Sequence, residues 1–178
     1  MQRIIICVIC LVIVGIVFSQ TGEQINAVEI EIKNTIETSI NTFWQKDYQG
    51  WANTIIHNNN TVGIWVSKTR NVENSGWANI GSQVKQWMDD NPLPLLRELN
   101  ITFSQLTVKE NMAVVHFHYS SKDQIQKDPD YIPMKCFWVL QKINGFWKIS
   151  TWVNIGRNSY RAVASEKSDM EKIIIDCG

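Results

Sequence analysis

Apolar residues at Ile25, Val28, Ile32, Ile36, Ile40, Phe43 and Trp44 recur at steps of three and four. That spacing lines one face of an α-helix, whose period is about 3.6 residues. Glu23, Glu29 and Glu31 fall toward its N-terminal end, where negative charge interacts favourably with the helix dipole. A second, shorter helix is predicted after Asp47, whose carboxylate suits an N-cap. Tyr48, Trp51, Ala52, Ile55 and Ile56 form its apolar side, and His57 followed by Asn58-Asn59-Asn60 ends it. Thr61 to Ser67 reads as a strand rich in β-branched residues and containing Trp65. A polar loop is expected through Asn74-Ser75-Gly76. Ser82 is placed as the cap of a third helix with Val84, Trp87 and Met88 on its buried side, stopped by Asn91-Pro92-Leu93-Pro94.

Beyond Pro94 the period changes to two, the pattern of strands with one buried face. Ile101 to Lys109 and Met112 to Ser120 are predicted strands joined at Glu110-Asn111. A polar loop from Ser121 to Asp130 separates them from Met134 to Lys142, and Asn144-Gly145 turns that strand into Phe146 to Asn154. Both turn residues tolerate the positive φ that a two-residue hairpin loop requires. Regular pairing outward from Ile143 and Phe146 puts Trp147, Ile149, Thr151 and Val153 on the face of Leu140, Trp138 and Cys136. Phe137, Val139, Gln141, Lys148, Ser150 and Trp152 share the other face, which Lys148 and Gln141 mark as the wetter one. Trp138 and Thr151 are then expected opposite each other on the inner side. A short helix over Ser168 to Ile174 is expected in the tail. Helices, a strand, a helix and then four consecutive antiparallel strands describe an α+β fold, not an alternating α/β one.

Three segments carry a family likeness. FWQKDYQGWANTI at 43–55 passes from a long helix through an Asp into a short one. GSQVKQWM at 81–88 looks like a third helix, and FWVLQKINGFWKIS at 137–150 looks like a closing hairpin. Together they resemble the nuclear-transport-factor-2-like superfamily, which includes the SnoaL-like polyketide cyclases and the ketosteroid isomerases. The likeness spans residues 25–155. It implies a cone-shaped, cystatin-like domain whose strongly bent antiparallel sheet wraps the long N-terminal helix and leaves a pocket at the open end. Members of such folds include enzymes, ligand binders and interaction domains, so the fold alone assigns no activity. The isomerase-type Tyr and Asp set finds no matching positions. Thr151 and Trp152 stand where related SnoaL-like chains often carry a histidine.

The candidate ligand-binding residues are Trp51, Trp65, Tyr119, Trp138 and Thr151. Eight tryptophans in 178 residues is a high count, and such rings either line a cavity for an apolar or ring-containing molecule or fill a small core. Candidates for proton transfer are Asp47, His57 and His116, since carboxylates and imidazoles carry most acid–base chemistry. His116 and His118 share one strand face, whereas the more hydrophobic Val115-Phe117-Tyr119 series suits the inside. A helix C-terminus explains His57 without catalysis, and an N-cap explains Asp47.

The N-terminus bears on location. Ile4 to Phe18 carries no charge and follows Met1-Gln2-Arg3. A membrane-spanning helix needs about 20 apolar residues, whereas a signal-peptide core needs about 7–15. Val17 and Ser19 are small enough for signal peptidase, so cleavage is expected between Ser19 and Gln20, with retention as an anchor the alternative. Cys7 and Cys10 lie inside the apolar run and are not placed like a lipid-modified cysteine. The expected organisation is a signal peptide at 1–19, one domain at 20–156 and a tail at 157–178. A bias toward Asn, Ile and Lys points to a bacterial source, and hence to the periplasm or the exterior.

The formal net charge is +0, which excludes the basic footprint of a nucleic-acid binder. Cys136 and Cys177 remain after cleavage, and both a disulfide and a buried inert thiol fit them. Without Cys-x-x-Cys or a His/Cys/carboxylate cluster, neither a metal nor a cofactor is expected. Three functions follow. The first is an exported binding or accessory domain with an aromatic pocket. The second is a small isomerase, cyclase or dehydratase using a pocket His or Asp. The third is a module that dimerises through the convex sheet face, burying Phe137 and Trp152.

Overall fold

The computed structural model describes residues 26–67, 71–94, 98–121 and 132–156. They divide into two compact units that part between Asn34 and Thr35. The expected leader, the tail helix over Ser168 to Ile174, Cys177 and most of the Ser121–Asp130 loop lie outside the described residues.

The smaller unit contributes helical residues 26–34, in which Glu29 and Lys33 pair one turn apart at 3.6 Å. The larger unit opens with helical residues 35–45, here α1, where the predicted spacing buries Ile36 and Ile40. α1 ends at Lys46, which takes the left-handed conformation (φ 64°). Its N–H donates to Phe43 O at 3.2 Å and the Asp47 N–H to Thr42 O at 2.9 Å, a pair of bonds that closes the last turn. Asp47 then caps α2 (Tyr48–Asn53) as predicted, accepting from the Gly50 N–H at 2.8 Å.

Six strands follow: β1 (Val62–Val66), β2 (Asn71–Ser75), β3 (Leu99–Lys109), β4 (Met112–Ser121), β5 (Met134–Ile143) and β6 (Phe146–Ile155), with α3 (Trp77–Asp90) between β2 and β3. They form one bent, unclosed sheet in the order β2-β1-β6-β5-β4-β3, antiparallel except where β1 joins β6. This is the predicted α+β architecture. Asn144 (φ 51°) and Gly145 (φ 86°) make the predicted hairpin turn and pair Ile143 with Phe146.

Three expectations are corrected. The polar loop expected through Asn74-Ser75-Gly76 overlaps the end of β2, an unpredicted edge strand that pairs with β1 and buries little beyond one side of Val72 and Asn74. α3 begins at Trp77, not at Ser82. Its start is held by tertiary bonds, Gly76 N–H to Thr61 O (2.8 Å) and Trp77 N–H to Asn58 O (2.9 Å). Ser82 lies inside the helix and donates back to Asn79 O, while Trp87 is 36% exposed and Ile80 takes the buried position. The closing hairpin is also not regular. Leu140 pairs with Ile149, but the next pair is Val139 with Thr151, so Ser150 is an extra residue in β6. Its hydroxyl donates to Val139 O at 3.1 Å.

Candidate functional site

The bulge at Ser150 decides what the inner face of the sheet presents. On the turn side of it Trp147 and Ile149 point inward and are buried. Beyond it the alternation is shifted by one, so Trp152 and Asn154 point inward (7% and 3% exposed) while Thr151 and Val153 turn to the outer face. Trp138 therefore pairs with Trp152, not with Thr151. The close packing of Trp152 needs Gly63 on the neighbouring strand, where a Cβ would stand 2.5 Å from the indole Cζ2.

These side chains bound a cavity of about 80 Å³ in the larger unit, partly open to solvent. α1 supplies Ser39, Ile40, Phe43 and Trp44, and α2 supplies Trp51. Ile80 and Val84 come from α3, and Gly63, Trp65, Val72 and Asn74 from β1 and β2. Tyr119, Trp138, Ile149, Trp152 and Asn154 complete the wall from β4, β5 and β6, and Ile55 from the segment after α2. Rings meet at their preferred offset and edge-on geometries. Trp51 stands edge-on to Trp152 at 6.3 Å, Phe43 stacks on Trp87 at 4.9 Å, and Trp138 meets Phe117 edge-on at 5.1 Å. Lys46 Nζ lies 3.3 Å from the centre of the Trp87 ring.

Besides the indoles, the polar residues in the wall are Ser39, Asn74, Tyr119 and Asn154. Asn154 Oδ1 accepts from Trp138 Nε1 at 2.9 Å. The Asn74 amide is engaged in a reciprocal pair with Gln83, at 2.9 and 3.0 Å. Among the described residues, no Asp, Glu, Lys, Arg or His lines the cavity.

Four of the five nominated pocket residues, Trp51, Trp65, Tyr119 and Trp138, line this space, and Thr151 does not. Sequence reasoning missed Trp152, Asn154, Ser39 and Phe43. Ser39 and Phe43 were findable, since they follow Ile36 and Ile40 on the inward side of the same helix. The three nominated acid–base groups stand elsewhere. Asp47 caps α2. His57 Nε2 donates to Ala52 O at 2.9 Å and its ring stacks on Trp77 at 3.8 Å, closing the C-terminal end of α2. His116 is exposed on the outer face, edge-on to Phe137 at 4.8 Å, and His118 Nδ1 lies 3.3 Å from the Ser104 hydroxyl. Cys136 is buried, and desolvation raises its thiol pKa far above the usual value, which leaves it protonated and unreactive.

No protein-family model matches the chain, and no curated protein matches it. Solved structures do. An NTF-2 like protein of unknown function from Silicibacter pomeroyi DSS-3 aligns at TM-score 0.56 and 11% identity, over 74% of this chain and 98% of that one. A second, from Shewanella oneidensis MR-1, aligns at TM-score 0.54 and 15% identity over 71% and 98%. A domain of unknown function with a cystatin-like fold from Nostoc punctiforme PCC 73102 aligns at 0.55 and 13% over 85% and 94%. The chain has the nuclear-transport-factor-2-like fold. At these identities the likeness carries the fold alone, and the NTF2-like scaffold leaves the use of its cavity to the residues that line it.

Proposed function

We propose that this chain is an exported binding domain of NTF2-like type whose aromatic cavity holds one small apolar or ring-containing molecule. The observation that carries this is the cavity wall, in which Phe43, Trp44, Trp51, Trp65, Tyr119, Trp138 and Trp152 surround a space instead of filling it. Interiors are close-packed, so an unfilled space among large rings is a place for a guest. A dry cavity of roughly 150 Å³ takes benzene. A space of about 80 Å³ with an open side therefore suits a single ring, with the rest of the molecule in the mouth. Export rests on the uncharged run from Ile4 to Phe18.

Native mass spectrometry of the protein recovered from a bacterial host tests both parts at once. The expected result is a chain lacking residues 1–19 that carries a small molecule, or takes one up from a panel of single-ring compounds. An intact N-terminus in a chain left in the cytoplasmic fraction would refute export, and failure to bind any ring would refute the pocket assignment.

A second function is favoured by the outer sheet face. Phe137 is 38% exposed there, and Ile64 and Val153, paired across β1 and β6, are half-buried beside it. Such a strip supports self-association through that face, without Trp152, which is inside. Sedimentation of wild type and Phe137→Glu tests it: a dimer that the charge converts to a monomer supports the proposal, and a monomer in both ends it.

A further inference from the structure

Ser39 and Asn154 are 2% and 3% exposed, and both line the aromatic cavity. The bond from Trp138 Nε1 fixes which way the Asn154 amide points, because only its oxygen can accept from an indole N–H. Nδ2 is then the atom left over. Among the described residues nothing accepts from Asn154 Nδ2 and nothing pairs with the Ser39 hydroxyl. Both residues line the same cavity, which is the space they share. Side chains this deeply buried nearly always have a hydrogen-bond partner. The missing partner is therefore sought in whatever occupies the space.

We infer that the occupant is a neutral ring carrying a hydrogen-bond acceptor, such as a carbonyl oxygen, which receives the Asn154 Nδ2–H and the Ser39 hydroxyl; this rests on the ring-binding function proposed above. The chemistry of the wall selects each part. The rings of Trp51, Trp65 and Trp152 cover apolar faces. Asn154 offers only a donor, because its oxygen is already engaged, and the hydroxyl adapts to it. Asn74 does not compete, since Gln83 satisfies its amide. An anionic group would lose its hydration without meeting a positively charged side chain among the described lining residues, and a cationic group would bring no acceptor for the Asn154 N–H, so a neutral acceptor fits the site.

Three probes of nearly one shape separate these terms: acetophenone, α-methylstyrene (the carbonyl oxygen replaced by a methylene) and benzoate. Each is titrated into the isotope-labelled protein while the indole N–H resonances are followed. Acetophenone is expected to bind about three- to tenfold more tightly than α-methylstyrene, the equivalent of one net hydrogen bond. Benzoate is expected to bind at least about tenfold more weakly than acetophenone. Asn154→Asp keeps an acceptor for Trp138 but withdraws the Nδ2 donor, and Ser39→Ala removes only the hydroxyl. Each variant is expected to move the acetophenone to α-methylstyrene ratio toward one. Equal affinities in the wild type, an unchanged ratio in both variants, or benzoate as the tightest probe would overturn the inference while leaving ring binding intact. If none of the three binds, ring binding itself fails and the inference falls with it.

Discussion

Trp138 Nε1 donates to Asn154 Oδ1 at 2.9 Å, and both side chains are buried on the inner face of the sheet. The two are not directly opposed in the register. Trp138 faces Trp152 and Cys136 faces Asn154, so the bond is a diagonal one between β5 and β6. It exists only because the extra residue at Ser150 turns Asn154 inward. The same bulge therefore places a large ring, Trp152, and the polar group that steadies Trp138.

Replacing Asn154 with Val removes the acceptor and leaves the Trp138 N–H buried without a partner. A loss of about 1–3 kcal/mol is expected, the usual cost of an unsatisfied buried donor. Urea unfolding followed by fluorescence checks it, with an unchanged m-value showing that the fold survives. A loss no larger than that of an ordinary surface substitution would remove the bond from the list of stabilising features.

Deleting Ser150 makes Thr151 the direct successor of Ile149 and restores regular alternation in β6 with the inner face unchanged. Trp152 and Asn154 would still point inward, and Thr151 and Val153 outward. The expected result is a cavity that keeps its wall and a loss of about 0.5–1.5 kcal/mol from the Ser150 hydrogen bond to Val139 O. Near-ultraviolet circular dichroism of the tryptophans is the readout. A collapsed tryptophan spectrum would show that the extra residue itself, and not only the alternation, holds the inner face.

Gly63→Ala puts a methyl group 2.5 Å from Trp152 Cζ2 and 2.7 Å from Cε2. A bicyclic ring held at 7% exposure cannot step aside as the end of a flexible chain would. A cost of about 1–3 kcal/mol is expected, and the displaced indole should narrow the cavity and weaken any ring ligand. Thermal unfolding together with ligand titration tests both halves.

Cys136 supplies a pH dependence whose sign can be worked out. Burial raises the thiol pKa from an ordinary 9.0, so the folded chain keeps the neutral thiol where the unfolded chain ionises. The contribution is intact below pH 9.0 and is lost as the pH rises above it. Wild-type stability is expected to fall more steeply there than that of Cys136→Ala, by up to about 1.4 kcal/mol per pH unit. Parallel slopes for the two proteins would count against a buried neutral thiol. In the native state below pH 9.0, alkylation of Cys136 should occur only as fast as the chain opens.

Much of the fold was legible because its elements are written in local periods. The three-and-four spacing through Ile36 and Ile40, the Asp47 cap and the Asn144-Gly145 turn each follow from properties of neighbouring residues. On the same local periods Trp51, Tyr119 and Trp138 fall on faces that the structure buries. β2 was not legible: Asn71–Ser75 is polar, carries one aliphatic residue, and is a strand only because β1 lies beside it. The start of α3 was misplaced for a similar reason. Trp77 begins the helix because carbonyls of Asn58 and Thr61, distant along the chain, hold the backbone at Gly76 and Trp77.

The sequence by itself determined the α+β class, the strand pairing from Asn144-Gly145 as far as Leu140 and Ile149, and a supply of aromatic rings for the inner face. Periodicity and turn chemistry act within a few residues of one another, so no partner is needed to read them. Only the tertiary structure decided which face Thr151 and Trp152 occupy. Ile149 exchanges backbone bonds with the segment leaving α2, its N–H donating to Thr54 O at 2.8 Å and its carbonyl accepting from Ile56 N–H at 2.9 Å. Beyond it β6 pairs with β1 from Thr151 onward. Ser150 falls between these two commitments, and a bulge there satisfies both. Nothing in its immediate neighbours announces that, because the competing partners come from other parts of the chain.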